Sequence, residues 1–452
     1  MIHLVNVSPP SFIVSFPIGL GYVAKSLAVN QIDFEVIDLN PVPPERRERI
    51  FRERISHVRN GIFGFCIMVG NKSLEMTLAY ADIVKEISPS NTVVFGGPMA
   101  SASPDLLLQM TSCDYVVAGE GEERFPELIR SILDGTPARL PAGTYCRTGM
   151  RNGIQPARIG KVKDLDRYSP PLYDAFDMMF YTDFYKDNGY CFELMISRGC
   201  HGNCSFCFKF IGAGYHSRSA LSAFREIDAI SREWKISKYF FYDDNLMQNR
   251  QMVIDLMDLI RKHDIEFQCR CFARLDDLDE DLLERLPSEY FISIILGIET
   301  VNQKTLNQIN KGIDIRAQER KIALLHKKGI EPRGSFIIGF PDDTEADYEA
   351  MYEFIEENGI KGSIKFLTPL PNTRLLRQVW PKLQFNSEWA YIRHLDNYFL
   401  CRELVANLTA LPDDVLIHHF NRLTRLCADS LEQESRYDSR YHPFVYQHKP
   451  IQ

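Results

Sequence analysis

The chain has no excess of positive charge: 52 Lys and Arg stand against 60 Asp and Glu, a net charge of −8. A bulk nucleic-acid footprint is therefore excluded. No apolar run approaches the roughly 18 residues of a membrane span; the longest, near 61–70 and 291–298, are strand-sized. Residues 1–14 lack the basic region and small-residue cleavage site of a secretory leader. Proline and glycine are modest, 24 and 26 of 452 residues, which excludes a low-complexity chain. Cysteine, by contrast, is present 11 times. A cytoplasmic setting is expected, and there the thiols stay reduced as core residues, metal ligands or catalysts. The length suggests about three domains.

Residues 1–135 alternate short apolar runs (3–7, 34–38, 62–69, 92–96, 115–119) with helical stretches near 19–29, 44–57, 73–86, 104–110 and 122–133. Continuous apolar strands separated by helices predict a parallel sheet covered on both faces, whose binding edge is the carboxyl ends of the strands. Arg46, Arg47, Arg49, Arg52 and Arg54 interleave with Glu45, Glu48 and Glu53, which reads as a solvated helical face. Residues 136–190 break the rhythm with Pro137, Pro141, Pro156, Pro170 and Pro171 and read as a linker. Its aromatics, Tyr173, Phe176, Phe180, Tyr181 and Phe184, suit interdomain packing.

From residue 191 the alternation resumes, with strands at 191–197, 238–242, 266–272, 291–297, 333–338 and 363–367. Six β-α repeats over residues 191–379 suit a partial parallel barrel. Residues 380–452 form a helical region, with one helix over 413–431 and a loose tail after Glu434. Cys269 and Cys271 share one strand face and point into packing.

Cys200-His-Gly-Asn-Cys204-Ser-Phe-Cys207 follows the first strand of the second series. At this cysteine frequency the spacing arises by chance roughly 0.006 times in such a chain. Three thiolates are too few to close a structural zinc site unless His201 or His216 completes it. They suit a 4Fe-4S cluster with one iron left open.

This spacing, with Phe206 before the last cysteine, resembles the radical S-adenosylmethionine (SAM) superfamily. The strand ends that follow match the family in order. They are Asp243-Asp244-Asn245, Arg274 in Cys271-Phe-Ala-Arg274, Gly297-Ile298-Glu299, Gly334 through Gly339-Phe340-Pro341, and Thr368-Pro369-Leu-Pro371-Asn-Thr373. The resemblance implies a cluster on Cys200, Cys204 and Cys207, with SAM held by Phe206, Asp243, Asp244, Arg274, Gly297, Glu299 and Gly339. Asp243 and Asp244 also fit a helix cap, and Arg274 a surface ion pair.

Ahead of such a barrel, the first module resembles the domain of cobalamin-dependent radical SAM enzymes, through Pro17-Ile-Gly19-Leu-Gly21-Tyr22, Val36-Ile-Asp38, Gly96-Gly97-Pro98 and Asp114 through Gly119-Glu120-Gly121-Glu122. It implies cobalamin near Ser8, Gly70, Asn71, Gly96, Gly97, Gly119, Glu120 and Gly121. No Asp-x-His-x-x-Gly is present, and Met99 stands where relatives often carry His. A cofactor-free form of the domain stays open.

The expected fold is α/β: a doubly wound parallel sheet, a partial (β/α)6 radical SAM barrel and a short helical region. The implied function is methylation of an unactivated carbon or phosphorus centre of a small molecule, through a 5′-deoxyadenosyl radical and methylcobalamin. The implied electron donor is of flavodoxin or ferredoxin type, with no nucleic acid or membrane partner. The alternatives are a non-methylating radical cyclase or rearrangement enzyme using cobalamin, and a non-catalytic metal-binding module. The catalytic acid or base is not legible. His418, His419, Tyr391 and Arg393 are candidate substrate contacts, though surface roles fit them as well.

Overall fold

The strands of the first series are apolar where both faces are buried, as at 62–65 and 93–95, and admit polar residues such as Glu35 toward the sheet edge. In the computed structural model, which describes residues 1–9, 14–135, 140–147, 161–209, 214–398 and 401–428, they form β1 (Ile2–Asn6), β2 (Phe34–Asp38), β3 (Ile62–Cys66), β4 (Thr92–Gly96) and β5 (Tyr115–Val117). The order is β2-β1-β3-β4-β5-β6. The last strand, β6 (Thr144–Cys146), runs antiparallel to β5 and comes from the stretch read as linker. The helices around this sheet are α1 (Ile18–Val29), α2 (Pro44–Ile55), α3 (Ser73–Ile87), α4 (Gly97–Ala102), α5 (Pro104–Met110) and α6 (Gly121–Leu133). The sheet's direction of travel reverses between β1 and β3, which opens a crevice at their carboxyl ends.

On α2 the solvated reading holds for Arg52, paired with Glu48 and Glu86. Arg47 departs from it. The 3.6-residue repeat places Arg47, Phe51 and Ile55 on the buried side. Its guanidinium donates to the carbonyls of Ser8, Asn40 and Val42.

A helix unseen in the sequence, α7 (Met178–Asn188), precedes the second sheet. That sheet is all parallel, in the order β14-β13-β12-β11-β10-β7. Its strands are β7 (Phe192–Leu194), β10 (Lys238–Phe241), β11 (Gln268–Ala273), β12 (Phe291–Glu299), β13 (Glu331–Ile338) and β14 (Lys361–Phe366). The strand expected over 191–197 ends early. After Met195 and Ile196 the chain enters an antiparallel hairpin, β8 (Ser197–Cys200) with β9 (Gly214–Ser217). Helices α8 (Ala220–Trp234), α9 (Arg250–Lys262), α10 (Glu280–Arg285), α11 (Gln303–Gln308), α12 (Ile315–Lys327) and α13 (Glu345–Glu357) alternate with the strands. Cys269 and Cys271 are fully buried.

Among the described residues three further α-helices follow: α14 (Arg374–Val379), α15 (Glu388–Asp396) and α16 (Asp413–Ala428). The tail after Glu434 lies outside the described residues, as do Pro137 and Pro156. Tyr391 and His419 are buried, the first donating to the Pro369 carbonyl and the second packed on Tyr348. Asp396, also buried, accepts the Leu74 and Glu75 amides and so caps α3 from 321 residues away or more.

The two sheets meet along an aromatic seam. Phe16 packs on Tyr173, Phe176 and Tyr181, and Tyr173 continues onto Phe192 and Trp234. Each such ring pair adds about 0.5–1.5 kcal/mol beyond its buried area. Tyr181 donates to Asp38 at the end of β2. Glu193 on β7 accepts from Ser15 of the first module at 2.5 Å, and from Tyr185 and Tyr242. Burial pushes its carboxyl up to about 7 against those hydrogen bonds.

Candidate functional site

The hairpin delivers Cys200 at the end of β8, and Cys204 and Cys207 lie on the loop behind it. All three thiols are free. The loop is clamped through its backbone. Ser205 donates to the Ile309 carbonyl, Leu375 donates to the Ser205 carbonyl, and Asn310 and Arg374 donate to that of Asn203. Lys209 donates to the Gly202 carbonyl. Burial pushes the Cys200 thiol up, while the Gly202 amide and the Arg274 and Lys209 charges pull it down.

Asp243, at the end of β10, is buried and accepts from the Ile196 amide and from the amide and hydroxyl of Ser197. Its carboxylate therefore anchors the start of the hairpin. Asp244 accepts the Gly199 amide at 2.9 Å. Neither side chain caps a helix. Arg274 is also not a surface pair: it is buried, chelated by Asp276, bonded to the Lys311 carbonyl, and directed at Cys204.

Glu299 ends β12 in the left-handed region (φ 67°) and pairs with buried Lys311 at 2.5 Å. The pair crowds Gly297, where a Cβ would stand 2.9 Å from the Glu299 Oε1 and Lys311 Nζ tips and push them aside. Gly339 (φ 95°) ends β13, and its amide and that of Phe340 donate to Asp343. Phe340 meets Phe206 edge-on at 6.4 Å, so the cysteine loop and the fifth strand end close on one another.

In the first module, Ser8, Gly70, Asn71, Gly96, Gly97 and Gly119 lie at the ends of β1, β3, β4 and β5, which are consecutive in the sheet. Gly97 (φ 89°) is obligatory, since a Cβ there would stand 2.6 Å from Cys66 Sγ and 3.0 Å from the Ile67 carbonyl. The Asn71 amide is engaged by the Tyr398 carbonyl. Glu120 is where the residues depart most from expectation. Its buried carboxylate turns from the sheet edge to the Val162 amide (2.5 Å), Arg198 (3.0 Å) and His216 (2.8 Å). Burial alone would raise it, but His216, Arg198 and the Val162 amide hold it at about 2. The two modules also share a cavity of about 160 Å³, lined by Cys204, Cys207, Lys209, Arg374 and Arg377 and reaching Ala102 of α4.

Comparison with known proteins decides what this architecture is. The Radical SAM superfamily model matches residues 194–355, and the B12 binding domain model matches residues 13–129. The chain is a radical SAM enzyme with a B12-binding domain. This radical SAM chain is 28% identical over 365 residues to an uncharacterized methyltransferase of Pyrococcus horikoshii, covering 79% of this chain and 77% of that protein. It is 25% identical to the anaerobic magnesium-protoporphyrin IX monomethyl ester cyclase of Rubrivivax gelatinosus, covering 81% and 67%. Its fold matches the radical SAM methyltransferase TsrM of Kitasatospora setae, solved with cobalamin and a 4Fe-4S cluster bound. The TM-score is 0.69 at 18% identity, covering 84% of this chain and 75% of that one.

The radical SAM domain carries a 4Fe-4S cluster and SAM, and the B12-binding domain carries cobalamin. The residues fit these groups. A mononuclear zinc site would need His201 or His216 as its fourth ligand, yet His216 is drawn to Glu120, and His201 is exposed near Asp276 and Asp277. Arg274 reaches Cys204, and Arg274 and Lys209 both act on Cys200, cations suited to a loop that holds a cluster through thiolates. At the first sheet's carboxyl edge, Gly70, Gly96, Gly97 and Gly119 end or follow three consecutive strands, so bare backbone rather than side chains borders the place for a large planar group. Among the described residues no helix is long and apolar enough to cross a membrane.

Proposed function

We propose that this radical SAM enzyme transfers a methyl group to an unactivated carbon or phosphorus centre of a small molecule. One observation carries the reading: the cysteine hairpin and the cobalamin-type strand ends are held against each other by buried contacts across one seam. When bound, the cluster supplies the electron that splits SAM into methionine and a 5′-deoxyadenosyl radical, while cobalamin carries the methyl group. Cys200, Cys204 and Cys207 hold the cluster. Phe206, Phe340 and the Gly339 turn would hold the adenine side of SAM, and Gly297 with Glu299 its ribose side. Arg274 and Asp243 act through the loop they hold, and Asp244 steadies Gly199. Ser8, Gly70, Asn71, Gly96, Gly97, Gly119 and Gly121 would hold cobalamin, with Glu120 bracing that edge through Arg198, His216 and the Val162 amide.

The same reading takes residues 1–135 as the cobalamin module, 136–190 as the connection, 191–379 as the barrel and 380–452 as a helical cap. It sets the enzyme in the cytoplasm with a flavodoxin or ferredoxin as donor. After anaerobic reconstitution, 5′-deoxyadenosine and S-adenosylhomocysteine should form together with a methylated product. An intact cluster that yields no 5′-deoxyadenosine with any candidate substrate would overturn the radical assignment. The Rubrivivax relative favours a second reading, a non-methylating cyclisation, which would form 5′-deoxyadenosine without stoichiometric S-adenosylhomocysteine.

A further inference from the structure

Arg198 lies on β8, two residues before Cys200, and its guanidinium crosses into the other module. Nη1 meets Glu120 at 3.0 Å and Nη2 meets Glu122 at 2.5 Å. The three side chains are only 9%, 1% and 3% exposed. The Tyr22 ring of α1 lies 4.8 Å from the guanidinium carbon, and its hydroxyl donates to the Met195 carbonyl where β7 gives way to β8. His216, opposite Arg198 in the hairpin register, reaches the same Glu120 oxygen at 2.8 Å. Segments from α1, the turn after β5, the stretch at Val162, β8 and β9 thus converge on a few buried charges.

Exposed ion pairs contribute little. A desolvated set differs, because withdrawing one partner leaves an uncompensated charge in the interior. Such a set forms whole or not at all and holds its members in a single geometry. On one side Glu120 and Glu122 flank Gly121 at the strand end assigned to cobalamin. On the other, Arg198 is about 7 Å of extended strand from the first cluster thiol.

We propose that Arg198 is a positioning residue. With Glu120 and Glu122 it fixes the separation and facing of the cobalamin edge and the cluster hairpin, so that the substrate radical made beside one meets the methyl group held on the other. This rests on the methyl-transfer reading above. Loosening the contact should uncouple the two half-reactions while leaving SAM cleavage in place.

The test uses full-length, anaerobically reconstituted protein carrying Arg198→Gln, Glu122→Gln or Arg198→Lys. The ratio of 5′-deoxyadenosine to methylated product should rise about tenfold or more in the first two, since a misplacement of about 1 Å can cost a hundredfold. Arg198→Lys, which keeps the charge, should fall between them and the parent. Iron content should not change. In apoprotein, hydrogen exchange should show Arg198→Gln deprotecting residues 119–122 and Glu122→Gln deprotecting residues 197–200, each substitution registering in the opposite module. Deprotection confined to the substituted module, or an unchanged product ratio with deprotection present, would overturn the proposal. If Arg198→Gln does not fold, the other two variants carry the same comparison. A parent enzyme that forms 5′-deoxyadenosine and no methylated product would sink the methyl-transfer reading, and the exchange measurement would still test the coupling.

Discussion

Arg274 Nη1 lies 3.7 Å from Cys204 Sγ, with the rest of the guanidinium fixed by Asp276 and the Lys311 carbonyl. A guanidinium held this way fixes where the Cys204 side chain sits. Arg274→Ala should leave Asp276 unpaired and weaken the hold on the cluster. Iron per chain after reconstitution should fall by about half or more, as for other residues that orient metal ligands. Arg274→Lys, unable to chelate Asp276 and reach Cys204 together, should lie in between. Full iron loading in Arg274→Ala would contradict this role.

Cys200→Ala, Cys204→Ala and Cys207→Ala should each abolish the brown absorbance, roughly near 400 nm, of thiolate-bound iron–sulfur centres. Cys269→Ala and Cys271→Ala supply the contrast. Their side chains are fully buried in β11, on the face away from Arg270 and Phe272, so they should cost stability and leave the spectrum intact. Retained absorbance in all three loop variants would refute the ligand set.

Gly97→Ala adds a Cβ against Cys66 and the Ile67 backbone at a positive φ. The left-handed conformation alone costs about 1–2 kcal/mol for a residue with a side chain, and the backbone contact adds to it. The variant should unfold at lower denaturant and retain less cobalamin on gel filtration, with its iron content preserved. Parent-like cobalamin retention would show that the β4 turn does not shape that site.

Glu193 supplies a pH prediction. Burial raises its carboxyl from the ordinary 4.5 to about 7. Between those values the folded chain keeps a proton that the unfolded chain releases, so stability falls as pH rises through that window. At about 1.4 kcal/mol per pH unit of separation, the loss reaches about 3 kcal/mol above pH 7. Glu193→Gln should therefore be close to the parent at pH 5 and more stable at pH 8. Denaturant midpoints at the two pH values check this, and identical pH slopes would contradict it.

The central parallel strands were legible because burial on both faces writes them as apolar runs, as at 92–96; the edge strand 34–38 also fell on the residues expected although Glu35 and Asp38 interrupt it. The hairpin at Ser197–Cys200 was not: Ser, Arg, Gly and Cys carry no periodic signal, and its partner β9 is held by register alone. Helix α7 was hidden by aromatics that read as packing, which they also are. The cysteine loop announced itself by spacing. Glu120 did not, because what turns its carboxylate from the sheet edge is an arginine 78 residues away.

The backbone clamps on the cysteine loop reach beyond ligand geometry. Ser205 and Asn203 are tied to Ile309, Asn310, Arg374 and Leu375 by hydrogen bonds that involve no iron. The loop should therefore keep its shape when the cluster is lost to oxygen. Damage of that kind is then a matter of resupply rather than refolding, and a chain stripped in air should regain its cluster when iron and sulfide return.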